Sequence, residues 1–315
     1  MKFEEFIAKH QKEPVEEYPN RVLEAVEQPV VSVRVSAYNH APYIRQCLDS
    51  ILAQEMTHPW EVCIGDDGSD DGTREICIEY AKSHPERIRL FLHKRANNIP
   101  INDRPSGKFQ CFYTSMMCRG KYIAICESDD YWTDSSKISI QFSKMEEHGS
   151  LISFHKARRL DHIDGSEKII SDCGNMLKKI RPYHVIVEGG GFMPTAAIMH
   201  RKGFEEELLD YSLKISAGDY LLQTMLAMRG GHALYIPIEA SVYNFRIPGS
   251  WTCRSLRYGE VLITHFRGQK YLLQAVFKER KYVFPVVIKM LRNIFILMKI
   301  ITKIIMSNTK KRWSA

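Results

Sequence analysis

The residues best suited to chemistry crowd into "AICESDDYWTD" (124–134), where Glu127, Asp129, Asp130 and Asp134 fall within eight positions behind a short apolar run. Like charges this close repel unless a cation or a partner intervenes. One reading is the first turn of a helix, where the macrodipole favours acids. The other is a site for a divalent ion that also touches a substrate diphosphate, because hard cations take oxygen ligands. A second acidic run, "GDDGSDDGT" (65–73), follows another apolar stretch. Its Asp, Ser and Gly suit a strand-to-helix turn with Asp70 or Asp71 as cap, and carboxylates at a strand end can also bind a base or ribose. Asp219, in "GDYLLQTMLAMRG" (218–230), suits an N-cap or a general base. No GxGxxG and no GxxxxGK[ST] occurs, so neither the dinucleotide fingerprint nor the P-loop is supported.

The elements that must hold these groups alternate along the chain. "VVSVRVSAY" (30–38) is β-branched and alternating, a strand. Ile44, Cys47, Leu48, Ile51 and Leu52 then follow the spacing of one helix face. "WEVCIG" (60–65), "RIRLFLH" (87–93) and "KYIAIC" (121–126) read as further strands, with helices around Ile76–Tyr80 and over "FQCFYTSMM" (109–117). Beyond them come a helix with Ile138, Phe142 and Met145, strands "LISFH", "AAIMH" and "ALYIPI", a loop "EGGGFMP", and a helix carrying Leu221, Leu222, Met225 and Leu226. Strands alternating with helices predict an α/β fold, a Rossmann-like sheet flanked by helices on both faces. Ligands in such sheets sit beyond the carboxyl ends of the strands. "AYN", "GDDGSDDG" and "ESDD" should therefore share one edge and one site.

The wider composition limits the possibilities. With 315 residues, 44% hydrophobic and 26% charged, the chain can bury a full core. Eight cysteines include no CxxC pair, and several lie in apolar runs, which points to free thiols in a reducing compartment. The first residues, "MKFEEFIAKHQKEPVEEYPN", have no apolar core of a signal peptide. The net charge of +7 is uneven: residues 281–315 carry eight Lys and Arg and no acid, leaving the other 280 residues at −1. That argues against a protein-wide nucleic-acid surface and for a local contact.

Three blocks in series, "VSVRVSAYNHAPYIRQCLDSILAQ", "EVCIGDDGSDDGT" and "GKYIAICESDDYWTD", resemble the family 2 glycosyltransferases of the GT-A fold in order and spacing. The resemblance covers residues 30 to about 135 and weakens towards 252. It implies a nucleotide-diphospho-sugar transferase fold over 29–255, preceded by a charged segment 1–28 and followed by a helical region 256–315. It also implies roles. Tyr38 and Asn39 would line the nucleotide pocket, and Asp67 with Asp66 would contact the base, usually uracil. Glu127, Ser128 and Asp129 occupy the DXD motif, Glu127 near the ribose and Asp129 as ligand of Mn²⁺ or Mg²⁺. Asp219 would be the catalytic base, giving inversion at the anomeric carbon. "VYNFRIPGSWT" (242–252) resembles a closing loop in which Asn244 replaces the usual Arg, so Arg246 or Trp251 would approach the diphosphate. Thr195 would meet the acceptor sugar. Arg34 and Ser36-Ala37 depart from the usual apolar and Pro-Thr residues, and Glu127 from Asp.

Residues 283–308, "VFPVVIKMLRNIFILMKIITKIIMSN", are too charged to span a bilayer. On a helical wheel Lys289, Arg292, Asn293, Lys299, Thr302 and Lys303 share half the circle, and aliphatic residues fill the rest. This is the profile of an interfacial helix with its cations towards anionic lipid, or of a core-packing helix with a solvated basic face. The expected protein is thus a UDP-sugar-dependent glycosyltransferase acting on a glycan or lipid-linked acceptor, cytoplasmic and peripheral on the inner face of the plasma membrane, in surface polysaccharide assembly. A sugar-1-phosphate nucleotidyltransferase would want a Gly-rich basic loop after the first strand, which "AYNHAPYI" lacks. A membrane-bound scaffold of the same fold is the non-catalytic alternative, and a nucleic-acid binder is disfavoured because the tail cations have aliphatic neighbours.

Overall fold

The computed structural model describes residues 1–101, 104–214, 218–248, 269–274, 280–295 and 298. Strands β1 (Val31–Ala37), β2 (Trp60–Asp66), β3 (Ile88–Leu92) and β4 (Tyr122–Glu127) form the parallel heart of one mixed sheet. Helix α1 (Ala41–Leu52) follows β1, α2 (Thr73–Ser83) follows β2, and α3 (Lys108–Met117) leads into β4. In space the strands run β3-β2-β1-β4. The chain steps outward from β1 twice and then returns to its other flank. The order reverses between β1 and β4, the place where sheets of this kind hold a ligand beyond the carboxyl ends of their strands. Ala37 pairs with Asp66 and Ser36 with Glu127, so the three polar clusters end at one level of the sheet, as the sequence predicts.

The alternation in β1 explains how the sheet is clad. Val31, Val33 and Val35 enter a core with Ile44, Leu48 and Ile51 of α1. Ser32 and Arg34 face the other way, where a buried parallel strand is ordinarily apolar. Ser32 Oγ donates to Glu61 at 2.7 Å, and Arg119 closes on the same buried carboxylate at 2.7 Å, so the charge is paired and hydrogen-bonded. Gly65 lets α3 lie directly on β2, since a Cβ there would meet Gln110 Nε2 at 2.0 Å.

The second half extends the sheet. In order come β5 (Tyr131–Trp132), α4 (Lys137–His148), β6 (Ile152–Asp161), α5 (Pro182–Glu188), β7 (Met199–Arg201), α6 (Glu205–Ser212), α7 (Gly218–Gly230) and β8 (Ala233–Phe245). β7 is antiparallel to β4 and β6, β8 is parallel to β6, and β5 pairs antiparallel with β8. β6 and β8 run well past "LISFH" and "ALYIPI", because their polar ends are held by pairing that apolar periodicity does not report. Register shifts along β8 after Ile236 and Glu239 bend it towards the Asp129–Asp130 turn. "AAIMH" is a short turn at Thr195–Ala197 followed by β7.

Both termini pack on this body. The helix Phe3–His10 buries Phe6 against Phe109, ring centroids 5.3 Å apart, and Glu16–Glu17 pairs with β3. Residues 283–295 are helical, and the rest of 283–308 lies outside the described residues except Met298. Lys289 Nζ donates to the Glu188 carbonyl at 2.8 Å, and Arg292 Nη1 to the Val187 carbonyl and the Glu188 carboxylate, both at 3.3 Å. Both cations are thus engaged by the protein, Lys289 partly buried and Arg292 with its side chain 49% exposed, where a wholly solvated basic face was expected. The open carbonyls ending α5 form the negative end of its dipole and attract them. No helix among the described residues is long and apolar enough to cross a membrane. The seven described cysteines are free thiols.

Candidate active site

At the end of β2 the two adjacent aspartates do different work. Asp66 is fully buried, accepts Arg74 Nε at 2.6 Å, and takes the backbone N–H groups of Gly68 and Ser69. Its oxygens hold the turn. Asp67, also buried, accepts from Arg95 Nη1 and, at 2.9 Å, from Asn98 Nδ2. The Arg95 guanidinium lies 4.0 Å from the Tyr38 ring centroid, so Tyr38, Asp67 and Arg95 form one stacked cluster. Burial pushes the Asp67 carboxyl up to about 6, while Arg95 opposes the shift. Asn39, at φ 53°, donates to Asp70 at 2.9 Å and accepts the Asp70 N–H at 3.1 Å, pinning the β2 loop to the end of β1. Asp71 takes the N–H groups of Ala41 and Thr73, each at 3.0 Å, and so serves the first turns of both α1 and α2.

The β4 cluster is bracketed just as closely. Arg34 Nη2 donates to Glu127 at 3.0 Å, and Nη1 lies 2.6 Å from Cys111 Sγ. Ser128 is buried with its Oγ 2.7 Å from His40 Nδ1, and His40 Nε2 stands 3.8 Å from Asp129 Oδ2. Asp130 is buried and accepts the Asn244 N–H at 2.9 Å. Asn244 Nδ2 also donates to the Asp129 carbonyl at 2.6 Å, while His162 Nε2 lies 2.8 Å from Asn244 Oδ1. The residue that replaces the usual Arg is therefore a clip between β8 and the acidic turn. Burial raises Glu127 and Asp129 above the usual carboxylate range, against Arg34 and His40 respectively. It raises Asp130 much further, and Asp129 adds to the rise. Asp134 accepts the N–H of Ser136 at 2.8 Å and its hydroxyl, so it holds the turn that leads into α4, apart from this cluster, and gives no side-chain cap to the helix itself.

Asp219 reaches the site from the first turn of α7, with Oδ1 accepting the Tyr220 N–H at 2.8 Å. Gly190 presses against it, since a Cβ there would lie 3.4 Å from Asp219 Oδ2. Lys108, buried at the start of α3, lays its ammonium against Gly218, where a Cβ would meet Nζ at 2.5 Å. Burial lowers the Lys108 pKa, and Cys111 and Asp219 oppose the fall. Gly107, at φ 65°, would place a Cβ 3.8 Å from Asp67 Oδ2, so the N-terminus of α3 joins the Tyr38–Asp67 cluster to the Asp219 side. Arg246, at φ 59°, gives Nε to Asp161 Oδ1 at 2.8 Å and Nη2 to Asp161 and to Asp164 at 2.7 Å. Its donors are committed to two carboxylates at the far end of β6. Trp251 lies outside the described residues, and Thr195 opens the turn before β7.

Sequence reasoning left out His40, Arg95, Lys108 and Cys111. Arg34 was visible as a charge inside a β-branched strand, but its partners on α3 and β4 lie more than 70 positions away. Arg95 and Lys108 carried no local signal, since each becomes a site residue only through packing.

A divalent cation fits the β4 turn chemically. The carboxylates there are oxygen donors, and their raised pKa values report negative charge that burial leaves under-compensated. Among the described residues no three His, Cys, Asp or Glu side chains converge on one point. Residues 32–208 match the family model described as glycosyl transferase family 2, more than half of the chain. The chain belongs to the family 2 glycosyl transferases. This transferase is 29% identical over 222 residues to an uncharacterized protein of Mycobacterium tuberculosis, 70% of this chain and 60% of that one. It is 32% identical over 152 residues to the chondroitin synthase of Escherichia coli, 47% of this chain and 19% of that one. The chain therefore spans about 60% of the length of the first of these relatives and far less of the second. Among solved structures, S. aureus TarS 1–349 in complex with UDP aligns with a TM-score of 0.56 at 16% identity, over 77% of this chain and 65% of that one. The mannosyltransferase PcManGT of Pyrobaculum calidifontis, in complex with GDP-Man and Mn²⁺, aligns with a TM-score of 0.51 at 18% identity, over 90% and 74%. These likenesses show the GT-A fold.

Proposed function

We propose that this transferase moves a sugar from a UDP-sugar to a hydroxyl of a glycan or lipid-linked acceptor, with inversion and with Mn²⁺ or Mg²⁺. The catalytic unit is 29–255, and 256–315 holds the protein at the inner face of the plasma membrane during surface polysaccharide assembly. The observation that carries this reading is the convergence of the Tyr38–Asp67–Arg95 cluster and the buried Glu127–Asp130 turn at the reversal of strand order. The chondroitin synthase relative and the nucleotide-bound neighbours support it.

Each residue then has a task. Asp67 accepts from the N–H edge of the base, with Tyr38 and Arg95 fixing the plane. Arg34 holds the Glu127 carboxylate at the ribose end. Asp129 would hold the divalent ion, which when bound supplies Lewis-acid stabilisation to the diphosphate leaving group. Asp219 takes the proton of the acceptor hydroxyl as that oxygen attacks the anomeric carbon and the carbon–phosphate oxygen bond breaks. One base opposite one leaving group gives inversion. Lys108 places positive charge beside Asp219 and the incoming oxygen. A panel of UDP-, GDP- and dTDP-sugars with Mn²⁺, scored for donor hydrolysis without acceptor, tests the reading. Turnover of a UDP-sugar is expected, and no turnover of any donor would refute it.

A further inference from the structure

The tail helix is fastened by Val286 and Met290, packed with the core, and by two of its cations, and shows an apolar stripe to water. Lys289 and Arg292 are bonded to the carbonyls that end α5, and Val286 and Asn293 are buried. On the open side Phe284, Val287, Leu291 and Ile294 recur as i, i+3, i+7 and i+10, one stripe along the helix. Phe284 is 68% and Leu291 59% exposed. A single exposed leucine is unremarkable, but a continuous apolar stripe marks an interaction surface.

Charge selects what covers it. Residues 281–315 carry eight Lys and Arg and no acid. A second copy laid on the same stripe would bring two cation-rich segments together with no opposite charge in either. An anionic bilayer offers hydrocarbon to the stripe and an opposite charge to the six Lys and Arg of 281–315 that are not part of the clamp. Resting on the reading of a membrane-surface transferase, we propose that residues 283–295 dock on anionic lipid through the Phe284–Ile294 stripe, with Lys289 and Arg292 acting as clamps to the protein rather than as lipid contacts. The clamp sits close to the chemistry. A Cβ at Gly189 would lie 2.7 Å from Lys289 Nζ, and the next residue, Gly190, presses on Asp219. Docking therefore places the loop beside the candidate base on the membrane side of the enzyme.

Flotation of the full chain with phosphatidylglycerol–phosphatidylcholine vesicles, against phosphatidylcholine alone, tests this. Wild type should float with the anionic vesicles. The double variant Phe284→Ser/Leu291→Ser should lose at least tenfold in bound fraction while hydrolysing donor at the wild-type rate in solution. Lys289→Met should bind within twofold of wild type, whereas a lipid-facing Lys289 would cost about fivefold. Three results would overturn the proposal: no flotation of wild type, full flotation of the double variant, or a fivefold loss in Lys289→Met. A wild-type dimer that the double variant dissociates, without vesicle binding, would assign the stripe to a second copy instead. Flotation without any donor hydrolysis would leave the docking surface intact and remove the glycosyl-transfer reading.

Discussion

The proposed nucleotide side, at the ends of β1, β2 and β4, and the Asp219 side are built differently. On the first, Asp66, Asp67, Glu127 and Asp130 each have a named donor before any ligand arrives, and Asn39 and Asn244 lock the loops that carry them. On the second, Lys108 is buried against Gly218 with no hydrogen bond from its ammonium to a described residue, and Asp219 has Oδ1 on its own helix N–H and Oδ2 against a glycine loop. A pre-bracketed pocket loses little entropy when an invariant group binds, which suits a nucleotide. A side whose charged groups lie against glycines suits an acceptor that completes it.

The strongest way to break this comparison is at the two carboxylates proposed to hold the ion and to act as base, Asp129 and Asp219. Asp129→Asn and Asp219→Asn should each lower transfer by about a thousandfold in a single-turnover assay. They should differ in calorimetry: Asp219→Asn binds UDP with Mn²⁺ as wild type does, and Asp129→Asn does not. Near-wild-type turnover in either variant removes that residue from its role.

A smaller effect belongs to Lys108. Lys108→Met should reduce kcat by about tenfold and leave the affinity for UDP unchanged. Weakened UDP binding with kcat intact would move Lys108 to the nucleotide side and dissolve the division.

The smallest effect is in pH. Asp67 titrates at about 6 because burial disfavours its charged form. If its carboxylate accepts from the base, UDP affinity should fall severalfold on acidification through pH 6, and Asp67→Asn should flatten that limb in a titration series. The stability of the free protein runs the other way. A carboxyl whose folded pKa is raised contributes stability below its ordinary value near 3.8 that is lost as pH rises through about 6. A UDP affinity that is level from pH 5 to 8 would exclude Asp67 from recognition.

Much of the proposed nucleotide side could be read along the chain, because its groups follow their strands directly. Tyr38–Asn39, Asp66–Asp67 and Glu127–Asp130 lie at or just past strand ends, so period-two alternation and the parallel order suffice to gather them at one edge. The Asp219 side was not open to that argument. Asp219 could be found only by motif context, and the positions of Lys108 and Gly190 against it depend on how α3, α5 and α7 cross. Hydrophobic periodicity also concealed the polar ends of β6 and β8, and with them the clip at Asn244 and the commitment of Arg246 to Asp161 and Asp164.

The tail shows the same boundary most plainly. Its amphipathic spacing is local, since a helix sets side-chain direction by residue number alone. Which face turns outward is not local. Two carbonyls at the end of α5, about a hundred positions earlier, accept Lys289 and Arg292 and so expose Phe284 and Leu291. Chain order was enough to place the carboxylates at one edge of a parallel sheet and the apolar and basic residues on opposite sides of a helix. Only packing between distant elements decided which carboxylates keep free oxygens and which side of that helix meets its surroundings, because both depend on donors and acceptors that no local spacing can bring together.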